Sequence, residues 1–252
     1  MRDLVLSFLL AIIGTTASAQ WLSTREGKPN LSARAPRAGN GKPDLSGVWH
    51  VQPNTGDVSP YSFNIFYDMK PEEDILERPQ ATQTRRERMQ SGVRDNPSVH
   101  CLPQGIPLNN LLTEAVKVVQ TPGLIVIIYE TDGTYRQIYT DGRKPSPDPQ
   151  PTWLGYSTGK WEGDTLVVET SGFNDKSWLD LMGHSHSEAL RVTERYRRLD
   201  FGHIGVEMTF DDPKMYTKPF TIKFTHLLQA QYDIQESFCN ENEKDRAHLG
   251  IK

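Results

Sequence analysis

Between Trp178 and Glu188 the chain concentrates groups able to move protons: Asp180, His184, Ser185, His186, Ser187 and Glu188. In an extended segment alternate residues point the same way, so His184, His186 and Glu188 would share one side. That sets a histidine beside a carboxylate, the arrangement general acid–base chemistry needs. On this reading His186 transfers the proton, His184 stands beside it, and Asp180 or Glu188 orients the ring. A divalent ion on His184 and His186 would need a third ligand from Asp180 or His203, so the site is expected to work without a metal or other cofactor. Serine chemistry would fall to Ser185 or Ser187, which stand beside the histidines, and phosphate-cradling glycine patterns are absent.

A second set of ionisable groups falls on strand-like rows. Leu190, Val192, Glu194 and Tyr196 share one face of their segment. Phe220, Ile222, Phe224, His226 and Leu228 share another, and Ile234, Glu236 and Phe238 a third. A charge on a core-facing row must be paired, shifted in pKa or opened to a cavity, because burying it alone costs several kcal/mol. Glu194, His226 and Glu236 are therefore expected to line an internal pocket. Glu194 would be a second carboxyl of raised pKa, and Arg136 either its neutralising partner or the group that stabilises developing negative charge. Trp153, Tyr156 and Trp178, with Trp161 and Phe173 close in sequence, supply aromatic walls for a small molecule.

These residues must be positioned by strands. From Val116 onward, β-rich runs alternate with turn dipeptides: 116–120, 124–130, 134–140, 153–161, 165–171, 189–199, 204–211, 220–228 and 232–238, after a first strand at 45–51. Lys144 to Pro151 is a proline-rich loop. Residues 70–112 are the least strand-like, with a polar stretch at 80–90 that reads as a short surface helix. The fold class is thus mainly all-β, an antiparallel meander forming a lipocalin-like barrel or a rolled two-layer sheet, with a short helix in the N-terminal third.

The N-terminus has Arg2, an apolar run from Leu4 to Ile13 and the small residues Thr15 to Ala19. It reads as a signal peptide over 1–19, too short to span a bilayer, and no later segment is long enough either. A flexible arm, 20–43, and a single β domain, 44–252, follow. Export leads to the periplasm or the extracellular space, where Cys101 and Cys239, the chain's two cysteines, are expected to pair. The net charge of −4 supplies no basic field for a phosphate backbone, so nucleic acid is not an expected partner.

Gly47-x-Trp49 at the first strand resembles the opening of lipocalins and related calycin barrels. Residues 115–249 resemble a group of uncharacterised secreted bacterial proteins. The resemblance rests on the run Thr152 to Thr170 (TWLGYSTGKWEGDTLVVET), Gly172 to Asp175, Trp178 to Asp180, His186 to Glu188, Glu194-Arg195, Asp211 to Pro213 and Cys239 to Asn242. It implies one secreted domain. Together these features favour an exported barrel that holds a small organic molecule with aromatic or apolar surface and acts on it by acid–base chemistry, as a lyase, isomerase or hydrolase. A non-catalytic carrier is the alternative, and an envelope interaction module working through the arm is the third reading.

Overall fold

The computed structural model describes residues 27–52, 59–69, 76–92, 94–145 and 147–239. The expected signal peptide, 1–19, and the start of the arm, 20–26, lie outside the described residues. Nine strands close into a barrel in chain order. They are β1 (Gly47–Val51), β2 (Val116–Thr121), β3 (Leu124–Tyr129), β4 (Tyr135–Tyr139), β5 (Tyr156–Glu162), β6 (Thr165–Ser171), β7 (Arg191–Arg198), β8 (His203–Asp211) and β9 (Phe220–Leu228). Helix α1 (Pro60–Phe63) and the expected surface helix, α2 (Pro79–Gln90), precede β2. Among the described residues no helix is long and apolar enough to cross a membrane.

Alternation builds the core. On β8, Ile204, Val206, Met208 and Phe210 point inward and are buried, and the residues between them face out. Each such fully buried side chain contributes roughly 1.5–3 kcal/mol. Leu190, Val192, Glu194 and Tyr196 all face inward, as their spacing predicts.

Strand number dictates the topology. Around a closed barrel the strand direction must return to itself, so an entirely antiparallel ring needs an even number of strands. With nine, one pair has to be parallel, and it is β4–β5; the other pairs, including the closing pair β1–β9, are antiparallel. The simple meander is corrected at this point. A parallel neighbour requires the chain to return to the same end of the barrel before it re-enters the sheet. The proline-rich segment 140–155 makes that return.

Tight hairpins at 121–124, 162–165 and 198–203 therefore gather at one end, the base, and the long connections at the other, the top. At the base, the Arg198 guanidinium lies 4.6 Å from the Trp49 ring centre and donates to the carbonyls of Asp44 at 2.6 Å and Asp200 at 3.1 Å. Burial lowers its pKa to about 10. The arm, expected to be flexible, is laid against this end from Leu31: Gly202 N donates to Leu31 O and Phe201 N to Ala33 O, each at 2.7 Å, and Arg37 pairs with Asp164.

A second correction concerns 232–238, which forms no strand. β9 already pairs with β1, so no edge beside β9 is left for a tenth member. The segment runs outside the barrel as a strap. Tyr232 Oη donates to Glu130 at 2.9 Å, Lys117 pairs with Asp233 at 3.2 Å, and the expected disulfide joins Cys239 to Cys101 across a Cα–Cα distance of 5.4 Å.

Candidate functional site

Strands β4 and β5 meet only where Ile138 faces Ser157 and Tyr139 faces Thr158. Above these pairs they part, because β4 continues up to Tyr135 whereas the chain entering β5 bends at Gly155. Gly155 has a left-handed backbone (φ 66°), and a Cβ there would stand 2.7 Å from Thr170 Cγ2, so the bend requires glycine. The gap is an open cleft of about 430 Å³ between residues 133–137 and 152–157. Small-molecule sites commonly measure about 300–1,000 Å³. Its walls carry Tyr135, Tyr139, Trp153 and Tyr156. The Tyr139 and Tyr156 rings stack at 5.4 Å, and the Arg143 guanidinium, held by Asp141 at 2.6 Å, lies 3.8 Å from the Tyr139 ring centre. Tyr135 remains 64% exposed.

Arg136, the one charged side chain on the cleft wall, belongs to a buried network. From β4 its Nε donates to Ser157 Oγ on β5 at 2.9 Å, and its Nη2 to Thr170 Oγ1 on β6 at 2.7 Å. Nη1 donates to Glu194 Oε1 on β7 at 3.0 Å, and Nη2 to the other carboxylate oxygen. Tyr196 Oη donates to Glu194 Oε1 at 2.6 Å. Burial alone would lower the Arg136 pKa, but the Glu194 carboxylate overrides it and holds the guanidinium charged. Burial, reinforced by Glu194, pushes the Tyr196 phenol up, so it stays a donor. Arg136 is thus the neutralising partner of Glu194, with its guanidinium directed into this network.

The histidines lie in the layer of connections at the top of the barrel, and each is buried. His184 Nδ1 is 2.5 Å from Asp180 Oδ2, and Asp180 also accepts from Ile65 N at 2.6 Å. Asp180 therefore orients His184, not His186. His186 Nδ1 donates to the Ser187 carbonyl at 3.2 Å, which leaves Nε2 as acceptor for Ser177 Oγ at 2.7 Å. Burial lowers the His186 pKa and keeps the ring neutral. Ser177, unlike Ser185 or Ser187, is the serine that meets a histidine, and it is roofed by Gly105, where a Cβ would stand 2.6 Å from its Oγ. Asp212 closes the segment from the other side by accepting from Ser187 N at 2.6 Å and Ser187 Oγ at 2.8 Å. Among the described residues no group of three or more His, Cys, Asp or Glu is placed to hold a metal ion.

Several expected site residues are elsewhere. Glu188 is exposed, because the chain turns at Ser187 before it could share a side with the histidines, and Glu236 is exposed on the strap. Trp178 is buried under the Arg88 guanidinium, 4.9 Å from its ring centre. His226 does face inward, where it donates from Nε2 to Asn110 O at 3.0 Å, but the cavity it lines measures about 20 Å³. A cavity needs roughly 10–15 Å³ to hold one water, so this one has no room for an organic guest. Of the expected set, Arg136, Trp153 and Tyr156 meet at the cleft. Tyr135 and Tyr139 were not anticipated, although two aromatics on the solvent face of one strand were a readable signal. Nothing in the sequence singles out Ser177.

Compared with known proteins, the chain matches no family model and no curated protein.

Two outcomes test this account of the buried groups. Glu194→Gln leaves the Arg136 charge buried without its partner and should cost about 3–5 kcal/mol in denaturant unfolding, whereas Arg136→Met combined with Glu194→Leu should cost less than either single change. Burial lowers the His226 pKa to about 4. The unfolded chain binds a proton there near pH 6.5 that the folded state refuses until about 4, so stability falls as pH drops through this window, by on the order of 3 kcal/mol. The unfolding free energy of His226→Gln should lack that part of the slope.

Proposed function

We propose that this protein is an exported binding protein that takes up a small organic molecule with aromatic or apolar surface in the cleft between β4 and β5. The observation that carries the proposal is the contrast between two spaces: a 430 Å³ aromatic-walled cleft at the seam and a 20 Å³ void inside the barrel. The cleft wall offers ring faces and short polar groups, and its single charge is already neutralised. This favours an uncharged guest with a flat or apolar face. The disulfide fits an oxidising compartment, and membership of the group of secreted bacterial proteins it resembles is part of the same proposal. Leu31 and Ala33 of the arm are bonded to the base, which weighs against the interaction-module reading.

Catalysis of the hydrolase type is the second reading, and the Ser177 to His186 hydrogen bond favours it, since a serine beside an acceptor nitrogen is how an activated nucleophile is arranged. The burial of both residues favours carriage over catalysis.

A library of uncharged aromatic compounds screened by ligand-observed NMR should give binders whose affinity drops at least about tenfold in Trp153→Ala with Tyr156→Ala at an unchanged thermal midpoint, as expected for loss of aromatic anchors. Binders indifferent to this double change would place the site elsewhere. His186→Ala should lower the thermal midpoint by several degrees and leave ligand affinity in place. A fold of unchanged stability that loses ester-hydrolysing activity would instead establish the catalytic reading.

A further inference from the structure

The cleft also exposes backbone. Tyr129 N donates to Thr134 O and Thr140 N to Gly123 O, which fixes the phase of the β3–β4 ladder. Alternation then turns the backbone groups of residues 134, 136, 138 and 140 toward β3, and those of Tyr135, Gln137 and Tyr139 toward β5. Since β5 pairs only with Ile138 and Tyr139, the N–H and C=O of Tyr135 and the N–H of Gln137 face the cleft without a strand partner. A barrel that is closed elsewhere thus keeps one short open edge, and it lies along the aromatic wall of the cleft.

We infer that the ligand of this cleft is a short, uncharged, extended peptide segment with an aromatic or apolar side chain, which pairs its amides with the free edge of β4 at Tyr135. The inference rests on the proposed binding function and narrows its ligand class. An unpaired edge is the template on which extended peptides add as a strand, with main-chain hydrogen bonds giving affinity and side-chain contacts giving selectivity. The available edge, residues 134–137, is roughly 13 Å long at about 3.3 Å per residue, enough for three or four peptide residues. A strand seated there would alternate its side chains between the outer face, where Tyr135, Tyr139 and Tyr156 lie, and the inner face, where Arg136 lies. The cations at the cleft, Arg136 and Arg143, are held by Glu194 and Asp141, so a charged peptide would find no free counter-ion.

The test uses the full chain and an N-acetylated, C-amidated Ala-Phe-Ala tripeptide, titrated by calorimetry beside its analogue N-methylated at the Phe amide and beside 4-ethylphenol, an aromatic probe without an amide. The tripeptide should bind, and N-methylation should weaken it by about tenfold, the worth of one main-chain hydrogen bond. Tyr135→Pro and Tyr135→Ala both lose the ring, but only the proline also removes an N–H, one that β3 does not use; the tripeptide should bind the proline variant about tenfold more weakly than the alanine variant, and 4-ethylphenol should bind the two alike. If 4-ethylphenol binds at the cleft and the tripeptide binds no better than its N-methyl analogue, the peptide inference is overturned and the binding function stands. If none of the three binds, both fall. The N-methyl comparison is made on the unmodified protein and does not depend on the proline variant folding.

Discussion

A guanidinium and a carboxylate buried side by side inside the barrel set the terms for the rest of this structure. Arg136 and Glu194 are both almost wholly removed from solvent, and neither would be tolerable there alone. Their positions matter as much as their charges. Arg136 stands on β4 and Glu194 on β7, and the intervening strands β5 and β6 supply Ser157 and Thr170 to the same guanidinium. One side chain thus spans four strands beneath the β4–β5 pair, the one with the shortest ladder. Where backbone pairing is thinnest, side-chain hydrogen bonding across the interior takes over part of the work of holding the sheet closed. The network is also almost wholly buried and its members are hydrogen-bonded to one another, the condition under which buried polar groups specify one arrangement of their neighbours.

The histidine layer follows the same logic at the top of the barrel. Asp180 and Asp212 each accept from main-chain N–H groups of other segments, so they fasten the long connections to one another. His184 and His186 complete these junctions with their ring nitrogens. Both rings are buried and held by these hydrogen bonds, so they act as rigid connectors between segments. Burial lowers the His186 pKa, and a ring with Nδ1 donating and Nε2 accepting holds a carbonyl and a serine hydroxyl in place.

The sequence makes the strands, the inward rows and the disulfide legible because alternation and turn dipeptides report directly on local backbone, and because two cysteines in an oxidising compartment have a single pairing available. Burial of Glu194 and His226 is legible for the same reason: each sits in an otherwise apolar period-two row. Partners across the barrel are not, since the Arg136 to Glu194 contact depends on shear and closure that no local pattern encodes. Glu188 and Glu236 fail for an instructive reason. Both inferences assume that an alternating row continues, and in both cases the chain leaves the sheet: at Ser187, captured by Asp212, and after Leu228, where no edge beside β9 is left to offer. The cleft was half visible, through Trp153 and Tyr156, but its opposite wall on β4 could be assigned only once the parallel pair was known.

That parallel pair connects fold to function. An eight-stranded barrel of alternating direction could zip every pair and would then have only its interior to offer a guest. Nine strands with a filled interior force the opposite arrangement: one pair must run parallel, its connection must climb the outside of the barrel, and the strand it delivers enters the sheet too late to cover the upper half of its neighbour. The resulting opening is a consequence of parity, and its aromatic wall is supplied by the strand left uncovered and by the segment arriving to meet it. Arg136 and Glu194 make the opening tolerable, because they secure from inside a seam that the backbone leaves incomplete from outside.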